Sequence, residues 1–253
     1  MKERRLIMGT PVTVEIINAD LPAFHPVFDY FSAVDERFST YKATSEVSQI
    51  NRGALPHSAY SPEMQEVLRL AGETKQATGG YFDVYTPEGA LDPSGIVKGW
   101  AVNNAAKLIR AQGHVDFWVD AGGDIQTGGK NVEGKEWSAG IRSPFNENEV
   151  VKIVYPRGHG VATSGTYIRG EHIWNPHTRK SVATEIVSLT VIGPDVYEAD
   201  RFATAAFAMG NEGIRFIESL PGFEGYAIDK HGTATMTGGF SSYTDIPGAR
   251  VSL

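Results

Sequence analysis

Three runs of apolar residues at helical spacing fall before residue 113, and after them the pattern shifts to short strand-like runs, with one helical run returning near residue 200. That order constrains the fold strongly. A doubly wound chain alternates strand and helix throughout, whereas helices gathered ahead of a series of strands call for an α+β architecture, with helices packed on mixed or antiparallel sheets. The first run, Phe24, Val27, Phe28, Phe31, Val34 and Phe38, predicts a helix over 24–38. The second is preceded by Ser61 as N-cap, carries Pro62 in its first turn and Met64, Val67, Leu68 and Ala71 on its apolar stripe, and stops at the glycines 79–80. The third spans 99–112, with Val102, Ala105, Ala106 and Ile109 inward and Gly113 as the stop. "TPVTVEII", "VDFWV", "EWSAGI", "EVVKIVY" and "SLTVI" read as strands, and "YAIDKHGTATMT" as a hairpin turning at 230–232. The late helix covers 197–209. No linker, repeat or low-complexity tract divides the chain, so a single domain of one or two lobes is expected over 1–253.

Composition removes several kinds of chemistry. With 253 residues, 41% of them hydrophobic, the chain can bury a substantial core. It contains no cysteine, which eliminates disulfides, thiolate metal sites, iron–sulfur clusters and cysteine nucleophiles, so any site must use oxygen and nitrogen groups. A formal charge of −7 argues against general nucleic-acid binding, which rests on clustered Lys and Arg. No apolar run approaches the roughly 18–20 residues a membrane-spanning helix needs, and "MKERRLIMGT" lacks the apolar centre of a signal peptide. A cytoplasmic location is the expectation for the chain as it stands, an exported form with a removed leader being the alternative.

Four stretches concentrate polar groups. In "YEADRFATAAFAMG", Asp200 and Thr204 lie one turn apart on one helix face, where a carboxylate and a hydroxyl can join in holding a hard cation such as Mg²⁺; equally, Asp200 can serve the helix dipole while Thr204 packs among alanines. "LDPSGIVKGWAV" brings Asp92, Gly95 and Lys98 to a helix start, a place that attracts anions, though an ordinary turn with a solvated lysine fits the same residues. "DAGGDIQTGG" lets backbone approach a ligand closely but lacks the spacing of a dinucleotide fingerprint. "VATSGTYIRGEHIWNPHT" holds Ser164, which lacks a nucleophile elbow, together with His172 and His177, whose spacing does not suit zinc. His172 is a candidate general base or a hydrogen-bonded structural histidine.

Taken together and in order, "MGTPVTVEI", "FSTYKATSEVSQIN", "GGYFDV", "LDPSGIVKGWAV", "DAGGDIQTGG", "GIRSP", "VATSGTYIRGEHIWNP" and "EADRFATAAFAMG" resemble the FAD:protein FMN transferases, the ApbE family once linked to thiamine biosynthesis. The resemblance runs from about residue 8 to 210. It implies an ApbE-type fold with a nucleotide cleft between lobes and a Mg²⁺-dependent transfer of the FMN moiety of FAD onto a Thr or Ser of an acceptor flavoprotein, with release of AMP. It further implies metal ligation by Asp200, Thr204 and the Gly95 carbonyl. Flavin-nucleotide contacts would come from Met8, Tyr41, Tyr81, Phe82, Asp83, Asp92, Lys98, Ile173 and Trp174. His172 would assist attack by the acceptor hydroxyl, with Asp200 as the other residue at the reacting centre. The same resemblance admits a pyrophosphatase that splits FAD to FMN and AMP, and a protein that binds FAD without cleaving it is a further alternative. Three features depart from the family pattern: "HIWNP" puts Asn175 where an acid is usual, "YTPEGA" makes a short connection between "YFDV" and "LDPSG", and the sequence shows neither the signal peptide nor the cysteine of the many members that are exported, often as lipoproteins.

Overall fold

The computed structural model describes residues 1–146, 148–165, 174–181 and 185–244. Two strands open the chain, β1 (Lys2–Ile7) and β2 (Thr10–Ile16), followed by helices α1 (His25–Phe38), α2 (Glu46–Asn51), α3 (Pro62–Ala77) and α4 (Ser94–Ala111). Strands β3 (Phe117–Ala121), β4 (Asp124–Gly128), β5 (Ala139–Arg142), β6 (Val150–Val154) and β7 (Gly160–Gly165) come next. After the short pair β8 (Trp174–Asn175) and β9 (Lys180–Ser181) come β10 (Ile186–Gly193), α5 (Val196–Ala208), α6 (Gly213–Ser219), β11 (Glu224–Asp229) and β12 (Ala234–Met236). Among the described residues, eight strands form one sheet in the order β1-β2-β3-β4-β7-β10-β11-β12, and every described pairing is antiparallel. The mixed-sheet option is thereby resolved in favour of the antiparallel one.

The helices lie on one face of this sheet. Along β2, Val12, Val14 and Ile16 are completely buried while the residues between them are half-buried, so strict alternation puts one apolar row against α1 and α4. Phe28 and Phe31 of α1 and Ala101, Val102 and Ala105 of α4 complete that core without any exposure. Farther along the sheet, α5 and α6 cover β7, β10 and β11 through Ala203, Phe207 and Ile217 against Leu189, Val191 and Ala227. The opposite face of the central strands is closed by the β5–β6 hairpin and Phe240. Strand β1 is an outer edge, and its run of Lys2, Glu3, Arg4 and Arg5 makes it a poor template for pairing with another chain.

Local signals explain where several elements start. The Ser61 hydroxyl accepts the Met64 amide at 3.1 Å, which begins α3 where the sequence predicts it. Asp195 caps α5 in the same manner by accepting the Glu198 amide at 2.9 Å. Helix α4 differs from expectation: it begins at Ser94, not near residue 99, so Gly95 and Lys98 lie inside its first turns. Two glycines so early in a run weaken any prediction from propensity, and the reason the helix forms regardless is the close packing of α5 upon them. Strands β1, β4 and β7 and helices α2 and α6 also go beyond the sequence reading, so among the described residues the strand region carries two late helices instead of one.

Candidate functional site

The site grows from the crossing of α4 and α5. On α4, Gly95 and Gly99 are one turn apart, and on α5 so are Asp200 and Thr204; the two pairs face each other. A Cβ on Gly99 would stand 2.5 Å from the Asp200 Cβ and 2.8 Å from the Val196 carbonyl oxygen, so only glycine permits this approach. The Gly99 amide donates to Asp200 Oδ2 at 2.8 Å, tying the carboxylate to the α4 backbone although Asp200 is buried. One turn along, Thr204 Oγ1 lies 3.4 Å from the Gly95 carbonyl and 3.4 Å from Ser164 Oγ on β7. Carboxylate, hydroxyls and carbonyl therefore converge from three elements.

Strand β4 braces this crossing. Asp124 and Gln126 point to the helical side, two residues apart as the pleat requires. Gln126 Oε1 accepts the Val196 amide at 2.9 Å and fixes the start of α5, while the completely buried Asp124 carboxylate lies 2.8 Å from Lys98 Nζ on α4. The strand is reached from β3 through Gly122 and Gly123, both at positive φ, and a side chain on Gly122 would collide with Thr10 Oγ1 at 2.3 Å. Nearby, burial holds the Asp120 carboxyl above its ordinary pKa and the Asp124 charge adds to the shift, while a Gly123 amide at 2.8 Å and the Lys98 charge oppose it.

Two hollows open beside these groups, of about 380 and 390 Å³. The first is bordered by Tyr81, Phe82 and Asp83, by Asp92, Gly95 and Lys98, and by Trp174, Asp200 and Thr204. The second contains Met8 and Tyr41. Ser94 and Lys98 border both, so one lysine stands where the two meet. The short 85–90 stretch forms a wall of the first hollow: Tyr85 and Leu91 bridge, the Thr86 amide bonds the Ala90 carbonyl at 2.8 Å, and Tyr85 to Glu88 border the space.

The predicted residues thus separate into two groups around one lysine, and their environments differ. Tyr41 is 97% exposed at its rim and offers a whole aromatic face, whereas Phe82 is 2% exposed and is chiefly a core residue. Asp83 is held by Lys75 at 2.6 Å and by the Tyr85 amide at 3.0 Å, and Asp92 accepts the Ser94 amide at 3.0 Å at the start of α4. Tyr81 packs edge-on against His177, with ring centroids 4.4 Å apart. Asn175 Oδ1 accepts the His177 and Thr178 amides at 2.9 and 3.3 Å, and its Nδ2 donates to the Ala208 carbonyl at 3.2 Å, joining the Trp174 segment to the end of α5. His172 and Ile173 lie outside the described residues. Sequence reasoning missed Asp124, Thr10 and Thr163 at the site and set Ser164 aside. An acid immediately after the Gly122–Gly123 pair was the available signal for Asp124.

A buried oxygen cluster at a helix crossing, beside two hollows that share Ser94 and Lys98 on their borders, marks this antiparallel α+β fold. The sequence model of the ApbE family matches residues 8–88 and 85–227, and the chain belongs to this family. The two matched stretches meet in the 85–88 turn that walls the first hollow. The FAD:protein FMN transferase of Escherichia coli (strain K12) is 31% identical over 166 residues, 62% of this chain and 47% of that protein. The protein of the same name from Klebsiella pneumoniae (strain 342) is 33% identical over 160 residues, 60% of this chain and 46% of that protein. The chain therefore spans about half the length of the curated relatives it matches. The solved flavin transferase ApbE from Vibrio cholerae shares the fold with a TM-score of 0.84 at 24% identity, covering 96% of this chain and 99% of that one. The ApbE protein of Thermotoga maritima does so with a TM-score of 0.84 at 20% identity, covering 97% and 99%.

Proposed function

We propose that this protein is a Mg²⁺-dependent FAD:protein FMN transferase, which moves the FMN moiety of FAD onto a Thr or Ser hydroxyl of an acceptor flavoprotein and releases AMP. The observation that carries the reading is the pair of hollows meeting at Lys98 beside the Gly95–Asp200–Thr204 face. FAD has that form: two ring systems joined by a pyrophosphate. A ring in each hollow leaves the phosphates at the lysine and next to the oxygen donors. The names of the relatives from Escherichia coli and Klebsiella pneumoniae support the same activity.

The donor set fits Mg²⁺ by its chemistry. One carboxylate, one hydroxyl and one backbone carbonyl are hard oxygen ligands, and among the described residues no group of three or more His, Cys, Asp and Glu offers a competing cage. Mg²⁺ characteristically takes few protein ligands and completes its shell with water and substrate phosphate. When bound, it supplies charge neutralisation at the pyrophosphate and at the departing AMP phosphate.

The chain's own residues perform the remaining tasks. Lys98 directs a positive charge at the pyrophosphate, and Tyr41, Tyr81 and Trp174 present aromatic faces to the rings. The acceptor oxygen forms a bond to the FMN-side phosphorus, the pyrophosphate P–O bond breaks, and AMP leaves with the electron pair. The hydroxyl proton passes to a base, for which His172 is the candidate. To test the reading, the protein is incubated with FAD, Mg²⁺ and an acceptor flavoprotein domain. Acid-stable flavin on the acceptor with one AMP per flavin attached is expected. AMP formed equally without acceptor, or unmodified acceptor with intact FAD, would overturn it.

A further inference from the structure

We infer that Asp124 is the positioning residue that sets the Lys98 ammonium at the junction of the two hollows, and so determines how the protein holds the diphosphate of its ligand. The inference rests on the proposed FAD reading and extends it to a residue that touches no ligand itself. Asp124 is completely buried, and its Oδ2 lies 2.8 Å from Lys98 Nζ, whose own side chain is only 16% exposed. A lysine carries a long flexible stem and a compact charge, so without a fixed partner its ammonium spreads over many positions. An ammonium has three donors, and a ligand phosphate can be served alongside the carboxylate.

The carboxylate is held by rigid parts. Asp124 follows the Gly122–Gly123 turn, and Gln126 on the same face of β4 anchors the first amide of α5. Strand β4 thus fixes Lys98 through one side chain and Asp200's helix through another. While the ion pair is intact, the position of the ammonium relative to the oxygen donors is thus referred to this strand.

The test is a cycle of Lys98→Met, Asp124→Asn and the double variant, read as Kd for FAD by flavin fluorescence, with riboflavin as a ligand lacking phosphate. Asp124→Asn is expected to weaken FAD by at least about tenfold, as truncation of a buried charge partner does, while riboflavin binding stays unchanged. The double variant is expected to bind FAD no more weakly than Lys98→Met. If Asp124→Asn does not fold, the comparison of Lys98→Met with the double variant, in which no unpaired lysine is left, decides: equal affinities support the inference and a further tenfold loss overturns it. Unchanged FAD affinity in Asp124→Asn, or equal loss of FAD and riboflavin, also overturns it. Failure of the unaltered protein to bind FAD at all would instead overturn the functional reading and this inference with it.

Discussion

Replacing Gly99 by alanine tests the packing that brings the site together. In an exposed helix interior alanine is favoured over glycine by about 1 kcal/mol, so propensity alone predicts a gain. Here the new methyl would stand 2.5 Å from the Asp200 Cβ and 2.8 Å from the Val196 carbonyl oxygen, and neither is the end of a flexible side chain. Forcing α4 and α5 apart costs about 1–3 kcal/mol, and stretching the bond from the Gly99 amide to the buried carboxylate removes up to roughly 1.5 kcal/mol more. Set against the propensity gain, the net loss centres near ~2 kcal/mol, which lowers the melting temperature by about 4–8 °C in a chain of this size. Gly72, exposed on α3 with nothing within 4 Å of its would-be Cβ, is the control, and its alanine variant is expected to gain about 0.5–1 kcal/mol. Urea and thermal melts of both variants measure the difference in sign. If Gly99→Ala is stabilised as much as Gly72→Ala, the close crossing does not govern this region and the reasoning fails.

Asp200→Asn keeps an acceptor for the Gly99 amide but loses the charge, so the melt should stay within about 1 kcal/mol, while the Mg²⁺ concentration needed for FMN transfer rises at least about tenfold; an unaltered Mg²⁺ titration refutes the assignment. Asn175→Asp retains the bonds to the His177 and Thr178 amides, loses the donor to Ala208 and sets a carboxylate at the negative end of α5. A loss of about 1–2 kcal/mol is expected, together with faster amide exchange over 174–181, and wild-type stability would contradict the clamp. Because the Asp120 carboxyl is held above its ordinary value of 3.8 by burial, the folded state binds that proton more tightly than the unfolded one, and stability is lost as pH rises through the raised value. Asp120→Asn should therefore melt higher than the unaltered protein at pH 7, with the gain shrinking as pH falls toward about 4; a gain independent of pH would refute it.

The parts of the fold that were legible are those where one pattern dominates. Helix α1 announces itself through phenylalanines and valines at helical spacing, α3 through Ser61 and Pro62, and the β11–β12 hairpin through its Lys230–Gly232 turn. The start of α4 was obscured because Gly95 and Gly99 argue against helix locally and are justified only by α5, roughly a hundred residues away. Strand β4 was hidden for a similar reason, since "DAGGDIQTGG" is rich in glycine and polar groups whose partners lie on α4 and α5. At the site, the Asp200–Thr204 spacing follows from helix geometry, and the meeting with Gly95 is a tertiary fact. Asp124 was marked in the sequence only by its place after Gly122–Gly123, because its burial and its lysine partner exist only in the folded chain.

The most direct measurement is diffraction from crystals soaked with FAD and Mn²⁺ in place of Mg²⁺, read by anomalous scattering. A metal peak is expected between the Gly95 carbonyl, Asp200 and Thr204, next to the pyrophosphate, with Lys98 against the same phosphates. FAD bound with its pyrophosphate away from this face, or a metal peak elsewhere in the cleft, would contradict it.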